Sequence, residues 1–427
     1  MTRSNRLICL LGMVCMTALV SAQTLEIGGQ VRPRFEMRKG YKTLPPANAD
    51  AAMFISQRSR LNVLFGQAGI RAGLSLQDVR TWGDVPQLNA ADRNGPALHE
   101  AWGEATLAPW LAIRAGRQEL SYDDQRILGS VDWAQQGRSH DALLFMSQPS
   151  EKSKLHLALA FNQEGEALFG TDYSIAGNYK ALQFLWYQIT GEKLTLSVLA
   201  LNNGMAFTDL TDSLDPTQQT VYSHTIGPRA IFRTGKMQAH ASFYYQGGKD
   251  AGKRDLSAYY ASAELMRELT DHLRAGAGIE YLSGTDQGGI AKENHSFTPL
   301  YGTNHKFNGW MDYFYVGNHS NSVGLMDIHI PVHYKRDAYS FSLIPHFFSA
   351  AAAIADPEAP EKEMERYLGT EIDLMFAYRL SAEASISCGL SLLQSTDALK
   401  ALKGGEEKTA SWGWVMLDIK PWRKDKP

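Results

Sequence analysis

An alternation of apolar and polar side chains with a period of two residues dominates this chain. Over residues 25–38, the odd positions hold apolar residues, glycine and proline, and the even positions include three arginines and two glutamates. Successive residues of a β-strand point to opposite faces, so the segment predicts a strand with one apolar and one charged face. The pattern returns in about eighteen segments, most clearly at 59–65, 70–79, 155–163, 194–202, 237–246, 273–283, 368–379, 384–392 and 412–422.

The connections between these segments alternate between short and long. Short joins are predicted at 66–67, 108–109, 190–192, 234–236, 269–271, 335–338 and 380–381. Long polar stretches are predicted at 39–53, 81–97, 118–140, 164–179, 203–218, 285–321, 349–366 and 395–410. Barrels of the bacterial outer membrane join their strands by short periplasmic turns and longer outer loops. The pattern therefore predicts an all-β fold, a transmembrane antiparallel β-barrel of about 18 strands (16–18) in the bacterial outer membrane.

The first 22 residues have a different character. Arg3 and Arg6 precede an apolar stretch that ends at the small residues Ser21 and Ala22, which predicts a secretory signal peptide over residues 1–22. The remaining residues, 23–427, show no linker or compositional break, which predicts a single barrel domain. Removal of the leader would leave Cys388 as the only one of the three cysteines, so the mature chain would form no internal disulfide.

The net charge and the mean hydropathy argue against two other classes of protein, nucleic-acid-binding proteins and helical membrane proteins. Of 42 basic residues, loss of Arg3 and Arg6 leaves 40 against 45 acidic ones, a net charge of about −5 that does not suit nucleic-acid binding. The mean hydropathy of −0.28 is too low for a helical membrane protein and suits a barrel with a wet interior. Aromatic residues near predicted strand ends, among them Trp110, Tyr187, Trp412 and Trp414, predict an interfacial girdle where they face outward.

If the apolar face meets lipid, the charged face must line the lumen, because an arginine at the bilayer midplane costs about 2–4 kcal/mol. Guanidinium groups around a water-filled passage favour anions. The same side chains can instead form cross-strand ladders with neighbouring carboxylates, and the sequence leaves both interpretations open. The predicted lumen residues on strands are Arg32, Arg34, Arg38, Arg58, Arg60, Arg71, Glu100, Glu104, Arg114, Arg229, Arg233, Arg274, Glu280, Glu371, Asp373 and Arg379.

Two segments resemble the alginate-export family of outer-membrane porins. They are LAIRAGRQELSYDDQRILG at residues 111–129, continued through Trp133 and residues 137–141, and YGTNHKFNGWMDYFYVG at residues 301–317. The resemblance implies an eighteen-stranded monomeric barrel with an electropositive constriction for a polyuronate. Matched by motif, Arg117, Arg126, Arg138 and Asp141 would then be loop or upper-lumen elements of the solute pathway.

The expected function is passive passage of anionic solutes, with acidic oligosaccharides or polysaccharides such as alginate as candidates. The expected partners are outer-membrane lipid, small anions or an acidic saccharide, and periplasmic export or uptake components, with no nucleic acid. Residues 285–321 are predicted to form a structured lid or constriction. Neither a cofactor nor a metal site is predicted.

Two alternative functions remain. One is a barrel enzyme, although the consecutive residues Ser139, His140 and Asp141 cannot converge on one point of a strand. The other is a structural or adhesive barrel that acts through its loops. That alternative requires a narrow or filled lumen, whereas about eighteen strands leave an aqueous channel unless loops fill it.

Overall fold

The computed structural model describes residues 23–89, 91–92, 95–209, 217–288 and 293–421. The predicted signal peptide lies outside these residues. The strands are β1 Thr24–Lys39, β2 Ala52–Gln67, β3 Ile70–Thr81, β4 Ala97–Ala108, β5 Leu111–Gln118, β6 His140–Ser150, β7 Ser153–Phe161, β8 Ala181–Thr190, β9 Leu194–Asp209, β10 Thr217–Thr234, β11 Met237–Lys249, β12 Asp255–Glu268, β13 Leu273–Leu282, β14 Glu293–Asn294, β15 Leu325–His329, β16 Val332–Arg336, β17 Tyr339–Ser349, β18 Tyr367–Arg379, β19 Ala384–Ser395 and β20 Thr409–Ile419.

These strands form one closed antiparallel barrel. Apart from β14, β15 and β16, each strand pairs in antiparallel fashion with the next strand along the chain, and β1 pairs with both β2 and β20, which closes the sheet. β15 and β16 lie end to end between β13 and β17, interrupted at Ile330 and Pro331, because proline has no N–H to donate to the ladder. β14 is a two-residue segment within a loop. Because β14 lies in a loop and β15 and β16 together form one strand of the wall, the twenty strands make an eighteen-stranded barrel. The predicted fold class is therefore confirmed.

The predicted rhythm of connections is present, with some corrections. Eight short turns lie at one end of the barrel, which we call the turn end, and nine connections lie at the other, the loop end. The predicted loop at 203–218 is mostly strand, because β9 continues to Asp209 and β10 begins at Thr217. The turn at 151–152 and the loop-end connection at 250–254 were not among the predicted connections.

The barrel has its apolar face outside and its polar face inside. On β1, Leu25 and Ile27 are 64% and 50% exposed, whereas Arg32 and Arg34 are buried. This distribution follows from the period-two alternation and identifies the outward face as the one that meets lipid. No helix in the described part of the chain has the length and apolarity of a membrane span.

The core of the molecule lies inside the barrel. Two loop-end connections fold into the lumen and narrow it: the β5–β6 loop (residues 119–139) and, in the β13–β15 loop (residues 283–324), the described residues 295–324. They contribute fully buried side chains such as Leu128, Met311 and Tyr313. Trp412 and Trp414 of β20 point inward and contact Trp133 of the β5–β6 loop with ring centroids 5.6 and 4.9 Å apart. The girdle prediction, which concerned outward-facing aromatic residues, therefore does not extend to these two.

Among the described residues, a single 3-10 turn spans Asn304–Lys306, and one α-helix, α1 (Asp397–Lys403), lies in the β19–β20 connection at the loop end. The hydroxyl of Thr396 caps it by accepting a hydrogen bond of 3.4 Å from the backbone N–H of Leu399. Gly404 ends it with a φ of +71°, a conformation that favours glycine. The helix buries Ala398 and Leu399.

Candidate functional site: a lumen divided by two loops

Arginines of β1 and β2 fasten the β5–β6 loop to the barrel wall. Arg32 donates to the backbone oxygen of Asp132 at 2.8 Å and to the side chain of Gln135 at 3.0 and 3.1 Å. Arg58 donates to the Asp132 carboxylate at 2.7 Å. Arg34 donates to the backbone oxygen of Trp133 at 2.7 Å and packs over its ring at 4.0 Å. The three guanidinium groups thus hold one short stretch of loop.

Two cations share the single carboxylate of Asp132. The Arg32 and Arg58 side chains are 4% and 1% exposed, and the Asp132 side chain is 59% exposed. The surrounding loop and wall desolvate the half-exposed Asp132 carboxylate in part, which acts to raise its pKa, but the charges of Arg58 and Arg32 outweigh that effect and lower the pKa from 3.8 to about 2. The carboxylate is therefore ionised at neutral pH and contributes to holding the loop.

Asp123, at the start of the same loop, lies in a different environment from Asp132. Burial raises its pKa, against hydrogen bonds from Ser197 Oγ at 2.7 Å and Trp186 Nε1 at 3.2 Å that favour the ionised form. These contacts pin the start of the β5–β6 loop to β8 and β9. The loop is thus held to opposite parts of the wall.

Arg126 joins the two inserted loops. It is 1% exposed and donates to Asn308 Oδ1 of the β13–β15 loop at 2.7 Å. Its Nη2 also lies 3.1 Å from the carboxylate of Glu280 on β13, and its guanidinium lies 4.5 Å from the ring centre of Phe307. Asn308 Nδ2 donates to Glu280 at 2.9 Å. The three groups form one polar unit that joins both inserted loops to β13, and Arg126 Nε and Nη1 are buried without a hydrogen-bond partner among the described residues.

Two carboxylates of β18 hold the tip of the β13–β15 loop. The backbone N–H of Met311 donates to Glu371 at 2.8 Å, and that of Trp310 donates to Asp373 at 3.1 Å. Gly309 precedes them with a φ of +80°, and a Cβ there would lie 2.7 Å from the Glu371 carboxyl group. Only glycine permits this approach. The tip of the β13–β15 loop therefore lies inside the barrel, bound to the inner face of β18.

Two cavities border the inserted loops in the described part of the chain. The loop-end cavity is about 580 Å³ in volume and the turn-end cavity is about 810 Å³, and they share no lining residue within the described ranges. The loop-end cavity has five cationic and three acidic side chains, Arg34, Arg38, Lys42, Arg80, Arg138, Glu36, Asp84 and Asp312. The turn-end cavity has four cationic and six acidic side chains together with five histidines. The positive surplus thus belongs to the loop end.

The other predicted strand residues divide between cross-strand pairs and the wall. Arg71 and Arg114 both bind Glu104, at 3.5 and 2.5 Å, as a ladder would. Arg229 binds Asp124 of the β5–β6 loop at 3.0 Å. The remaining predicted residues face inward by register, Arg60 and Glu100 at mid-wall, where they contact Gln77 and the backbone of Glu119, and Arg233 and Arg274 close to the turn end.

Arg117 and Asp141 do not line the lumen. They are direct partners on β5 and β6 and form an ion pair of 2.9 Å on the outward face, where the Asp141 side chain is 62% exposed. Arg114 points inward, and a residue three positions later on a strand points the opposite way. The motif-based prediction of these two residues as pathway elements is therefore wrong.

Several residues of this architecture escaped prediction. Asp132, Gln135 and Asn308 are polar loop residues with no distinguishing spacing, and only the folded loops bring them to the arginines. A Ser/His/Glu arrangement also escaped: Ser139 Oγ lies 3.2 Å from His99 Nδ1, and His99 Nε2 lies 2.9 Å from Glu119. The His99 side chain is 3% exposed, and neither Ser139 nor His99 lines either cavity. These contacts fasten the ends of the loop.

A family model described as alginate export matches residues 23–159. The resemblance to the alginate-export family is thereby confirmed. The matched part spans β1 to β7 and includes the arginine strands and the whole β5–β6 loop.

Solved structures share the same barrel. Pseudomonas aeruginosa OccK3 (OpdO) superimposes with a TM-score of 0.60 at 14% identity, over 93% of this chain and 95% of that one. P. aeruginosa OpdK, solved with vanillate, gives 0.61 at 8% identity over 93% and 98%. A BenF-like porin from Pseudomonas fluorescens Pf-5 gives 0.60 at 11% identity over 93% and 98%. This chain is a porin-type barrel of the bacterial outer membrane.

A short stretch is similar to a protein of another kind. Over 55 residues the chain is 44% identical to a choline-sulfatase of Rhizobium meliloti (strain 1021). The stretch covers 12% of this chain and 11% of that protein.

Proposed function

We propose that this porin-type barrel gives passive passage to small anionic solutes, which enter through the loop-end cavity. The observation that carries the proposal is the surplus of guanidinium groups on β1, β2 and the β5–β6 loop. Arg34 and Arg38 share Glu36, and Arg32 and Arg58 share Asp132. Two further guanidinium groups donate to neutral partners, Arg60 to Gln77 at 2.7 Å and Arg138 to the backbone oxygen of Gly302 at 3.0 Å.

In the loop-end cavity five cationic side chains face three carboxylates, which favours a positive potential there. Fixed charges of one sign in a cleft with low-dielectric walls concentrate ions of the opposite sign. Arginine also offers planar, bidentate hydrogen bonding to a carboxylate. A solute that carries a carboxylate group is thus favoured over a cation of the same size.

The volume of the cavities favours small solutes over a polymer. The loop-end cavity of about 580 Å³ is comparable with pockets that hold small molecules, and the two inserted loops separate it from the turn-end cavity. One barrel of this fold was solved with vanillate, which is a small carboxylate. Passage of acidic oligosaccharides such as oligouronates would require the loops to move aside.

The wider proposal concerns maturation and assembly. Residues 1–22 act as a removed signal peptide, and residues 23–427 fold as one barrel that functions as a monomer. Components for export or uptake would meet it on the periplasmic side, at the turn end.

Reversal potentials in planar bilayers under a potassium chloride gradient test the proposal. The unmodified barrel is expected to prefer chloride. Arg60→Gln and Arg138→Gln should each reduce that preference, because each removes a positive charge bonded to a neutral group. Arg117→Gln is the matched control, since it removes an arginine from the outward face and should leave the selectivity unchanged. Cation selectivity of the unmodified barrel, or equal effects of all three variants, would contradict the proposal.

Size selectivity needs a separate measurement. Liposome swelling with a monocarboxylate and with an oligouronate is expected to show permeation of the first and slow or absent permeation of the second. Faster entry of the oligouronate would favour a polysaccharide channel over a small-solute channel.

A further inference from the structure

A row of histidines and carboxylates crosses six neighbouring strands of the barrel wall at the turn-end cavity. His240, Glu264, Gly278, His329, His346 and Glu371 are consecutive register partners across β11, β12, β13, β15, β17 and β18. Direct partners in an antiparallel sheet present their side chains on the same face, here the inside of the barrel. The row plays no part in fastening the β5–β6 loop or in the surplus of cationic side chains at the loop end.

Three side chains in this row and beside it converge on one point. Asp327, two residues before His329, has an oxygen 2.9 Å from His346 Nδ1 and 4.0 Å from His329 Nδ1. One ligand atom from each of the three residues lies within 4.8 Å of the other two. In a tetrahedral zinc site the ligand atoms are about 3.4 Å apart. This distance lies between the 2.9 Å from Asp327 to His346 and the 4.0 Å from Asp327 to His329.

The orientation of both rings suits metal binding. His329 Nδ1 is buried and has no hydrogen-bond partner among the described residues. The opposite nitrogens face carboxylates: His329 Nε2 lies 3.1 Å from Glu264, and His346 Nε2 lies 3.6 Å from Asp373. Histidines that bind a metal almost always direct the other nitrogen to such a group, which fixes the ring and raises its basicity.

Gly278 makes room for this arrangement. The His329 ring leans over β13, and a Cβ at position 278 would lie 2.2 Å from His329 Nε2. Any other residue at position 278 would push the ring away from Glu264. All three converging residues also line the turn-end cavity, so an ion can reach them from solution.

We propose that Asp327, His329 and His346 bind a divalent transition-metal ion of the zinc type in the turn-end cavity. Two imidazoles and one carboxylate select such an ion over calcium or magnesium, which prefer oxygen ligands. Three protein ligands leave a fourth position for water or for a solute anion. The binding claim does not rest on the proposed anion passage.

Isothermal titration of the detergent-solubilised, EDTA-treated full barrel with zinc chloride tests the site. One ion per barrel is expected to bind, and His329→Ala or His346→Ala should each weaken binding by about tenfold or more. His333→Ala is the matched control: His333 lines the same cavity but contacts Ser342 at 2.9 Å, and its removal should leave binding unchanged. Gel electrophoresis checks that each variant is folded, because a folded barrel migrates more slowly after heating than before it.

A second measurement is specific to the ligand set. Cobalt(II) added in place of zinc should give the strong visible absorption of a tetrahedral site, lost in His346→Ala and in Gly278→Ala and kept in His333→Ala. Absence of zinc binding to the unmodified barrel, or binding that persists in both His329→Ala and His346→Ala, would overturn the proposal. Loss of anion selectivity with zinc binding intact would overturn only the proposed function.

Discussion

Replacement of Arg126 by methionine is expected to release the two inserted loops from each other and to give the largest loss of stability of any single substitution in the lumen. The variant leaves the buried carboxylate of Glu280 without its cation and Asn308 Oδ1 without its donor. Removal of one partner from a buried ion pair costs about 3–5 kcal/mol. Since the barrel ladder itself is untouched, the loss should appear as undocking of the loops. Limited trypsin digestion and single-channel conductance, both increased, would report it.

A double-mutant cycle separates the ion pair from the loss of side-chain volume. Arg126→Met with Glu280→Gln should recover part of the stability, because removal of both charges leaves no uncompensated group. Arg117→Met serves as the matched control on the outward face and is expected to change the stability little. If Arg126→Met left the protease sensitivity of both loops unchanged, the assigned role of Arg126 would be wrong.

Replacement of Asp132 by alanine is expected to open the loop end. The variant leaves Arg32 and Arg58 buried and without their shared carboxylate. Loss of hydrogen bonds to a charged group costs about 1.5–3 kcal/mol. A change of about 1–3 kcal/mol shifts an equilibrium about 5–150-fold, here between the docked and undocked β5–β6 loop. Single-channel recording should show larger or more frequent openings.

Asp141→Ala is the control for this prediction, because it removes a carboxylate from an exposed pair on the outer face. It should leave the conductance unchanged, since exposed ion pairs contribute little. Equal conductance changes in both carboxylate variants would contradict the role assigned to Asp132.

The pKa of Asp132 predicts how acid affects the same contact. The folded-state pKa of about 2 is lower than the usual 3.8, so the carboxylate stabilises the docked loop at any pH above about 3.8. That contribution decreases as the pH falls from 3.8 and is lost as the pH passes through 2. We expect conductance to be constant between neutral pH and pH about 4 and to rise in more acidic solution. A rise near pH 6 would point to a histidine instead.

The alternation of apolar and polar residues along each strand was sufficient to predict most of the fold. It located β1 and the neighbouring arginine strands correctly, because side-chain direction in a strand is a local property of the backbone. Arg117 shows the limit of a motif compared with this rule. Its distance of three residues from the inward Arg114 already excluded a shared face, whereas the resemblance placed it in the lumen.

The same alternation could not predict which groups the arginines contact. The sequence offered two interpretations, a cross-strand ladder and an open pathway, and Arg71 and Arg114 on Glu104 fit the first. Arg32, Arg58 and Arg126 instead bind loops, a third arrangement that neither interpretation included. Loop residues follow no periodic pattern, so their partners cannot be read from spacing.

The sequence by itself determined which face of each strand meets lipid and which faces inward, because charge in hydrocarbon is costly and successive side chains alternate. Only the tertiary structure decided what the inward groups contact. Arg32 reaches Asp132 a hundred residues away, and His329 meets His346 because β15 and β17 pair in one register. Such contacts depend on barrel closure, on register and on the docking of two loops, and these are properties of the whole sheet.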